Sequence, residues 1–394
     1  MDKRLSLKIR NISFLLLIMV AFIHGYNENL RFSDNGSILV PPWLSFLERF
    51  ISDGVCRVAV PLFFAISGYL ACESTGRILG IADYFILLKK RVFSLLIPYL
   101  MVSGSGIALV MLLQLFPFSR PFFNNYDIAN TSFSDWVRIW LLNPVPFQLW
   151  FIRFLMNYFL FFPVLFFAIR YLRELFVLIL FLFWSWTTLY YKIGAWKIAF
   201  SLCTFLFCFI SGTDFQPYIP TQKNELEGLF FFGLGMYASL HRIPLILPTG
   251  RGLLQVLLIF WLFWIAYRTR ISLEIPPRHN EVHYHLIGFT LIGMVLVWYY
   301  YDIISGSIES WNWLSKNAGL AFGVFLFHEP ILTILKKGMI RLGGGSDASL
   351  LLSFILAPVL AFLFSLFISR IFSDRLPGLY KFFTGNRLKV RGSV

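Results

Sequence analysis

The chain of 394 residues is 58% hydrophobic and 19% aromatic, with 14% charged residues and a mean hydropathy of +0.72, more apolar surface than one soluble core can hide. Its formal net charge is +14, but the basic residues flank apolar runs in short loops and tails. They form no basic stripe with interleaved aromatics, which argues against nucleic acid as a partner.

Composition therefore describes an all-α, polytopic membrane helix bundle, with residues 1–375 as a single membrane domain and 376–394 as a basic cytoplasmic tail. The first apolar run, residues 12–26, follows Lys3, Arg4, Lys8 and Arg10 and lacks a small-residue cleavage site, so it reads as a retained first span with its amino end in the cytoplasm. Further runs lie near 55–72, 92–116, 149–169, 175–190, 198–210, 229–240, 253–267, 286–301, 317–335 and 350–372, many of them close to the length that crosses about 30 Å of hydrocarbon.

Lys89, Lys90 and Arg91, the turn with Arg170 and Arg173, and the tail with Arg375, Lys381, Arg387, Lys389 and Arg391 mark the cytoplasmic face. Both termini on that face require an even number of spans, about ten. One candidate between Leu175 and Leu240 then fails to cross, and 198–210 is the expected one. The opposite face takes 27–54, 117–148 and 268–285, where Arg268, Arg270 and Arg278 run against the charge rule. Residues 43–51 and 133–142 read either as connectors or as amphipathic helices lying on the membrane. No internal repeat is visible. Cys56, Cys72, Cys203 and Cys208 have no metal-ligand spacing and no disulfide framework.

Four ionisable side chains, His24, Arg57, Arg153 and His328, sit inside or at the edge of these runs. A titratable group in a span is costly and normally faces a cavity with a partner or substrate. At helical rise His24 lies roughly 21 Å above Arg10. Arg57 opens the second span from the outer side, Arg153 lies about a turn into the fourth, and His328, with Glu329 beside it, lies midway along its own. Histidine is suited to take a proton from a hydroxyl near neutral pH. Glu28, four residues on, would share its face and orient the imidazole if the helix continues past Gly25 and Asn27. The arginines suit a phosphate or the oxyanion of an acyl transfer.

Plainer readings stand beside these. His24 marks the membrane interface, the arginines cap carbonyls of neighbouring spans, and His328 makes a structural hydrogen bond. His279, His283 and His285, with Glu281 among them, match no ligand pattern and read as a solvated loop, so no metal is expected. The absence of a Gly-rich phosphate loop, a zinc-protease motif or a nucleophile elbow implies that the energy for any chemistry arrives with an activated donor.

Five stretches carry a family likeness: Met19-Val20-Ala21-Phe22-Ile23-His24; Val60-Pro61-Leu62-Phe63-Phe64-Ala65-Ile66-Ser67-Gly68-Tyr69-Leu70; Lys89-Lys90-Arg91 leading to Leu95-Leu96-Ile97-Pro98-Tyr99; Leu149-Trp150-Phe151-Ile152-Arg153; and Phe325-Leu326-Phe327-His328-Glu329-Pro330. In these the chain resembles the bacterial acyltransferase-3 family, integral membrane enzymes that O-acylate carbohydrates. The resemblance implies about ten membrane helices with both ends cytoplasmic, and His24 as the general base. Arg57 and Arg153 resemble polar positions of a related subgroup, and Lys89, Lys90 and Arg91 a basic inner loop near the donor's phosphates. The chain departs from the pattern at Ser13, where an Arg or Lys is frequent, with Arg10 a turn lower, and at Ser94, where a second arginine is frequent.

The expectation is a multi-pass acyltransferase of the bacterial inner membrane. It would move an acetyl or other short acyl group from a cytoplasmic thioester such as acetyl-CoA to a hydroxyl of an envelope glycan or lipid-linked saccharide. His24, Glu28, Arg57, Arg153 and His328 would carry catalysis, while Arg10, Lys89, Lys90 and Arg91 would hold the acyl-CoA. The expected partners are the saccharide or glycolipid acceptor, acyl-CoA and membrane lipids. The rival reading is a glycan or lipid transporter without acyl-transfer chemistry, and a third is a structural or sensory subunit.

Overall fold

The computed structural model describes residues 2–27, 31–32, 36–37, 39–76, 79–117, 119–120, 128–142, 144–189, 222–246, 251–274, 281–309 and 312–385. Helix α1 (Lys3–Gly25) is followed by a two-residue antiparallel pairing, Arg31 with Ser37 and Phe32 with Gly36. Next come α2 (Pro42–Glu48) and α3 (Ala59–Ser74), joined without a loop through a π-helical stretch (Arg49–Gly54) and a 3-10 turn (Val55–Val58). Helix α4 (Ile81–Arg91) likewise runs through a π stretch (Val92–Leu96) into α5 (Ile97–Leu115). There follow α6 (Phe133–Leu142), α7 (Trp150–Leu160), α8 (Phe162–Leu172), α9 (Glu174–Leu189), α10 (Gln222–Leu240), α11 (Arg251–Glu274) and α12 (Glu281–Glu309). The chain closes with α13 (Asn312–Asn317), α14 (Ala321–Leu342), α15 (Asp347–Arg375) and α16 (Pro377–Thr384).

Among the described residues, 7 helices are long and apolar enough to cross a membrane, or 8 if the pair Phe133–Leu142 and Phe147–Leu160, bent by 61°, counts as one span. Phe162–Leu172, Glu174–Ser185 and Gly228–Leu240 are shorter apolar helices. The expected non-crossing segment, 198–210, lies outside the described residues. Residues 43–51, read from sequence as either a connector or an amphipathic helix, are helical, and so is the stretch of Lys89, Lys90 and Arg91, taken from sequence as a loop. Pro42 opens a helix that continues past Gly54, which packs against Ile265, and Lys89, Lys90 and Arg91 form the last turn of α4.

In lipid the hydrophobic effect does not drive helices together, so close packing falls to small residues. Gly68 of α3 and Gly235 of α10 meet where a β-carbon on either would run into the other helix's backbone, at the carbonyls of Phe232 and Ala65. Helix α15 carries Ser349, Ser353, Ala357, Ala361, Ser365, Ser369 and Ser373 at every fourth position, all buried, and packs on α14 and α1. Ring contacts of Phe14 with Phe362 (5.3 Å) and Phe22 with Phe354 (5.9 Å) show that α1 and α15 run antiparallel. The start of α1 and the end of α15 thus share one face of the bundle, as an even number of spans requires.

Near that face Lys8, 1% exposed, pairs with Asp302 at 2.7 Å and lies 4.4 Å from the Trp298 ring, which pins α1 to α12. The segment assigned to the tail begins as structure. Helix α16 buries Tyr380 and Thr384, and Gly385, at φ 66°, turns the chain against Phe93 and Ser94. Only 386–394 lie outside the described residues there.

Candidate active site

Helical spacing places Ser13, Leu17, Val20 and His24 on one face of α1, and that face lines a cavity of about 380 Å³. Helix α3 supplies Phe63 and Ser67 to the wall, α7 supplies Trp150, Ile152, Leu155 and Phe159, and α14 supplies Phe322 and Phe325. Arg91 and Gln148 are the remaining polar contributors. From Ser13 to His24 the helix rises about 16 Å, so the cavity runs lengthwise through half of the bundle. Arg91 lies toward the end that carries the chain start.

His24 sits in the last turn of α1, and its ring has no hydrogen-bond partner among the described residues. Its centroid is 5.8 Å from that of His328. His328 is 2% exposed, with Nδ1 on the carbonyl of Phe325 at 2.8 Å and Nε2 without a partner among the described residues. A carbonyl only accepts, so in the neutral ring Nδ1 carries the proton and Nε2 presents a lone pair. Pro330 explains a neighbouring contact. Having no backbone N–H, it leaves the carbonyl of Leu326 without its helical donor, and Gln148 Nε2 donates to that carbonyl at 3.4 Å. Gln148 is 1% exposed and its Oε1 has no partner among the described residues.

The end of α1 is clamped from two sides. Helix C-termini leave carbonyls unpaired, and here Lys336 Nζ donates to the carbonyls of His24 (3.0 Å) and Tyr26 (2.6 Å) while Ser52 Oγ donates to that of Phe22 (2.6 Å). Asn27 donates to Glu48 from its backbone N–H (2.9 Å) and its amide (2.7 Å), and Ser353 Oγ donates to Asn27 Oδ1 (3.2 Å). Thr333 donates to Glu329 Oε1 at 3.2 Å, while Oε2 is buried without a partner among the described residues. Sequence reading missed Lys336, Gln148, Glu48 and Asn27. The available signal was Pro330, which announces an orphan carbonyl, and the pair Lys336 and Lys337 still in phase with an apolar helix.

The residues singled out from sequence do not all converge. His24 and His328 come together, and Arg57, on the 3-10 turn before α3, lies within electrostatic reach of His24 without forming the cavity wall. Arg153 does not join them: its guanidinium donates to the carbonyl of Leu142 at the end of α6 and lies 5.1 Å from the Phe154 ring. That is the capping role set out above as its alternative. Glu28 lies outside the described residues. At the other end Arg91 stacks on Phe159 at 4.4 Å with its Nε buried and unpartnered among the described residues, while Lys89 and Lys90 are exposed. Arg10 is half-buried on α1, one turn below Ser13. Among the described residues no three His, Cys, Asp or Glu side chains gather as metal ligands. His279 lies outside those residues, and His283 and His285 begin α12.

A bundle of membrane-length helices around a lengthwise cavity, with two imidazoles near one end and an arginine toward the other, defines an integral membrane protein built for chemistry or passage inside the bilayer. The family model described as an acyltransferase domain matches residues 9–373, so the chain belongs to the acyltransferase-3 family and is an acyltransferase. The succinoglycan biosynthesis protein ExoH of Rhizobium meliloti (strain 1021) is 25% identical over 348 residues, 85% of this chain and 80% of that protein. No solved structure matches the chain.

Proposed function

We propose that this acyltransferase moves a short acyl group, acetyl or similar, from a cytoplasmic acyl-CoA to a hydroxyl of a saccharide or glycolipid of the cell envelope, working in the bacterial inner membrane. A saccharide acceptor is supported by the likeness to a protein of succinoglycan biosynthesis. The observation that carries the mechanism is the cavity linking Arg91 to His24. Arg91, with Lys89, Lys90 and Arg10 around the entrance, attracts the donor's phosphates, and an extended thiol-bearing arm spans the about 16 Å of helix between Ser13 and His24.

His24 then takes the proton of the acceptor hydroxyl as its oxygen attacks the thioester carbonyl. The carbon–sulfur bond breaks, the thiolate leaves toward Arg91, and the proton held by His24 returns to that sulfur. His328, its ring centroid 5.8 Å from that of His24 and its Nε2 carrying a lone pair, would set the His24 tautomer by accepting its N–H once the two rings close to hydrogen-bond distance in the reaction. Arg57 holds an anionic part of the acceptor or of the transition state. Arg153 sets the wall by fixing α7 to α6.

The test is transfer of radiolabel from acyl-CoA to envelope glycan by purified protein in liposomes. His24→Ala abolishes transfer in folded protein, and Arg91→Ala raises KM for the donor by about tenfold. Passage of unmodified glycan across the bilayer without label transfer overturns the reading in favour of transport.

A further inference from the structure

One feature of the sequence is unexplained by acyl transfer: arginines at the face where the charge rule disfavours them, Arg268 and Arg270 among them. Arg270 is exposed and pairs with Glu274 at 2.9 Å, an ordinary surface pair. Arg268 is different. It turns inward from α11, lies 4.9 Å from the Phe289 ring and donates to the backbone carbonyl of Asp53 at 3.1 Å. One turn further along α11, Ser272 receives Arg49, whose guanidinium donates to its carbonyl at 2.6 Å and lies 3.3 Å from its hydroxyl.

These contacts lock two ladders side by side. Arg49, Asp53 and Arg57 recur every fourth residue along the π stretch and the 3-10 turn, while Ile265, Arg268 and Ser272 recur along α11, with Ile265 against Gly54. The contacts of Asn27 with Glu48 and of Phe22 with Ser52 put His24 level with the start of this segment, and Arg57, further along it, remains within electrostatic reach of His24. Arg268 is within electrostatic reach of Arg49, Arg57 and Asp53.

The charge at this junction is unbalanced. Among the described residues three guanidiniums stand with two carboxylates, Asp53 and Glu48, the latter also accepting from Asn27. Arg57 is half-buried and makes no hydrogen bond or ion pair among the described residues. A half-buried guanidinium beside a second one is unfavourable unless an anion arrives between them, and the planar fork of arginine matches the two oxygens of a carboxylate or phosphate. The location narrows the anion's origin. The junction lies at the His24 end of the cavity, opposite Arg91, so it is reached from the acceptor's side and not by the donor's phosphates.

We propose that Arg49, Arg57 and Arg268 form a binding site for an anionic group, carboxylate or phosphate, carried by the saccharide acceptor close to the hydroxyl that is acylated. The site makes the enzyme selective for acidic or diphosphate-linked acceptors over neutral ones. It rests on the acyltransfer reading above and adds to it the class of acceptor.

The experiment uses the full chain in phosphatidylcholine vesicles with radiolabelled acetyl-CoA. Acceptors are a lipid-diphosphate-linked oligosaccharide, the same oligosaccharide released from its lipid, and a uronate-containing oligosaccharide beside its neutral counterpart. Inorganic pyrophosphate and free glucuronate are the competing probes. The expected result is preference for one anionic acceptor over its neutral partner, with the corresponding free anion competing against acceptor and not against acetyl-CoA. Competition by pyrophosphate assigns the anion to a lipid diphosphate, and competition by glucuronate assigns it to a sugar carboxylate. Arg57→Gln and Arg268→Gln each raise KM for the anionic acceptor by about tenfold, leave KM for acetyl-CoA within about twofold and flatten the preference.

Label transferred equally well to neutral and anionic acceptors, without inhibition by either anion, overturns the site while leaving acyl transfer standing. So does activation by anionic phospholipid with no acceptor preference, which would make the arginines a lipid-headgroup contact. If no acceptor receives label from the wild-type protein, it is the acyltransfer reading that fails.

Discussion

Lys336→Met tests whether the clamp on α1 positions the catalytic histidine. Lys336 is 4% exposed and its ammonium holds two carbonyls, those of His24 and Tyr26, at 3.0 and 2.6 Å. Methionine keeps the shape of the stem and removes both donors, leaving two carbonyls that no helical N–H can reach. Hydrogen bonds from a charged donor contribute about 1.5–3 kcal/mol each, and relaxation of the helix end recovers part of that, so the net loss is about 3 kcal/mol. The carbonyl released belongs to His24 itself. A displacement of about 1 Å at a reacting group costs on the order of a hundredfold in rate. The variant therefore unfolds at a lower temperature in detergent, and its kcat in proteoliposomes falls by about a hundredfold while KM for the donor holds. Lys336→Arg, which can still reach both carbonyls, recovers part of the rate. A Lys336→Met protein with wild-type midpoint and wild-type kcat would refute the reasoning. A lowered midpoint with unchanged kcat would reduce Lys336 to a staple with no bearing on His24.

Gly68→Val places a branched side chain against the carbonyl of Phe232 where α3 and α10 touch, and overpacking of this kind costs about 3 kcal/mol or more; monodisperse protein should no longer be recovered from detergent, and recovery at wild-type yield would mean the helices can separate there. Arg153→Gln removes the cap on Leu142 and the stacking on Phe154, a loss of about 1–2 kcal/mol read as a lower thermal midpoint. Its kcat and both KM values stay within about twofold, and a much larger fall in kcat with the fold intact would return Arg153 to the reaction.

Membrane residence, the helical class and the role of His24 as a candidate base follow from the order of residues alone. Hydropathy and length are local properties of a segment, and an imidazole at the end of a span is conspicuous because lipid tolerates so few polar groups. The five stretches around His24, Ser67, Arg91, Trp150 and His328 belong together in a family pattern before any coordinates, and all five contribute to or border the same cavity.

What each cation does was decided by tertiary structure. Lys8, Lys336, Arg153 and Arg268 look alike in the sequence, as basic residues at or near the ends of apolar runs. Long stems allow each to reach water, a carbonyl, a carboxylate or a ring, and the choice depends on which neighbour the packing brings within about 3 Å. Lys8 meets Asp302, 294 residues away, and Lys336 meets His24, 312 residues away. Arg153 is drawn to the carbonyl of Leu142 because α6 ends beside it. No local pattern encodes those meetings, since they arise from small residues on α3, α10 and α15 that let distant helices close together.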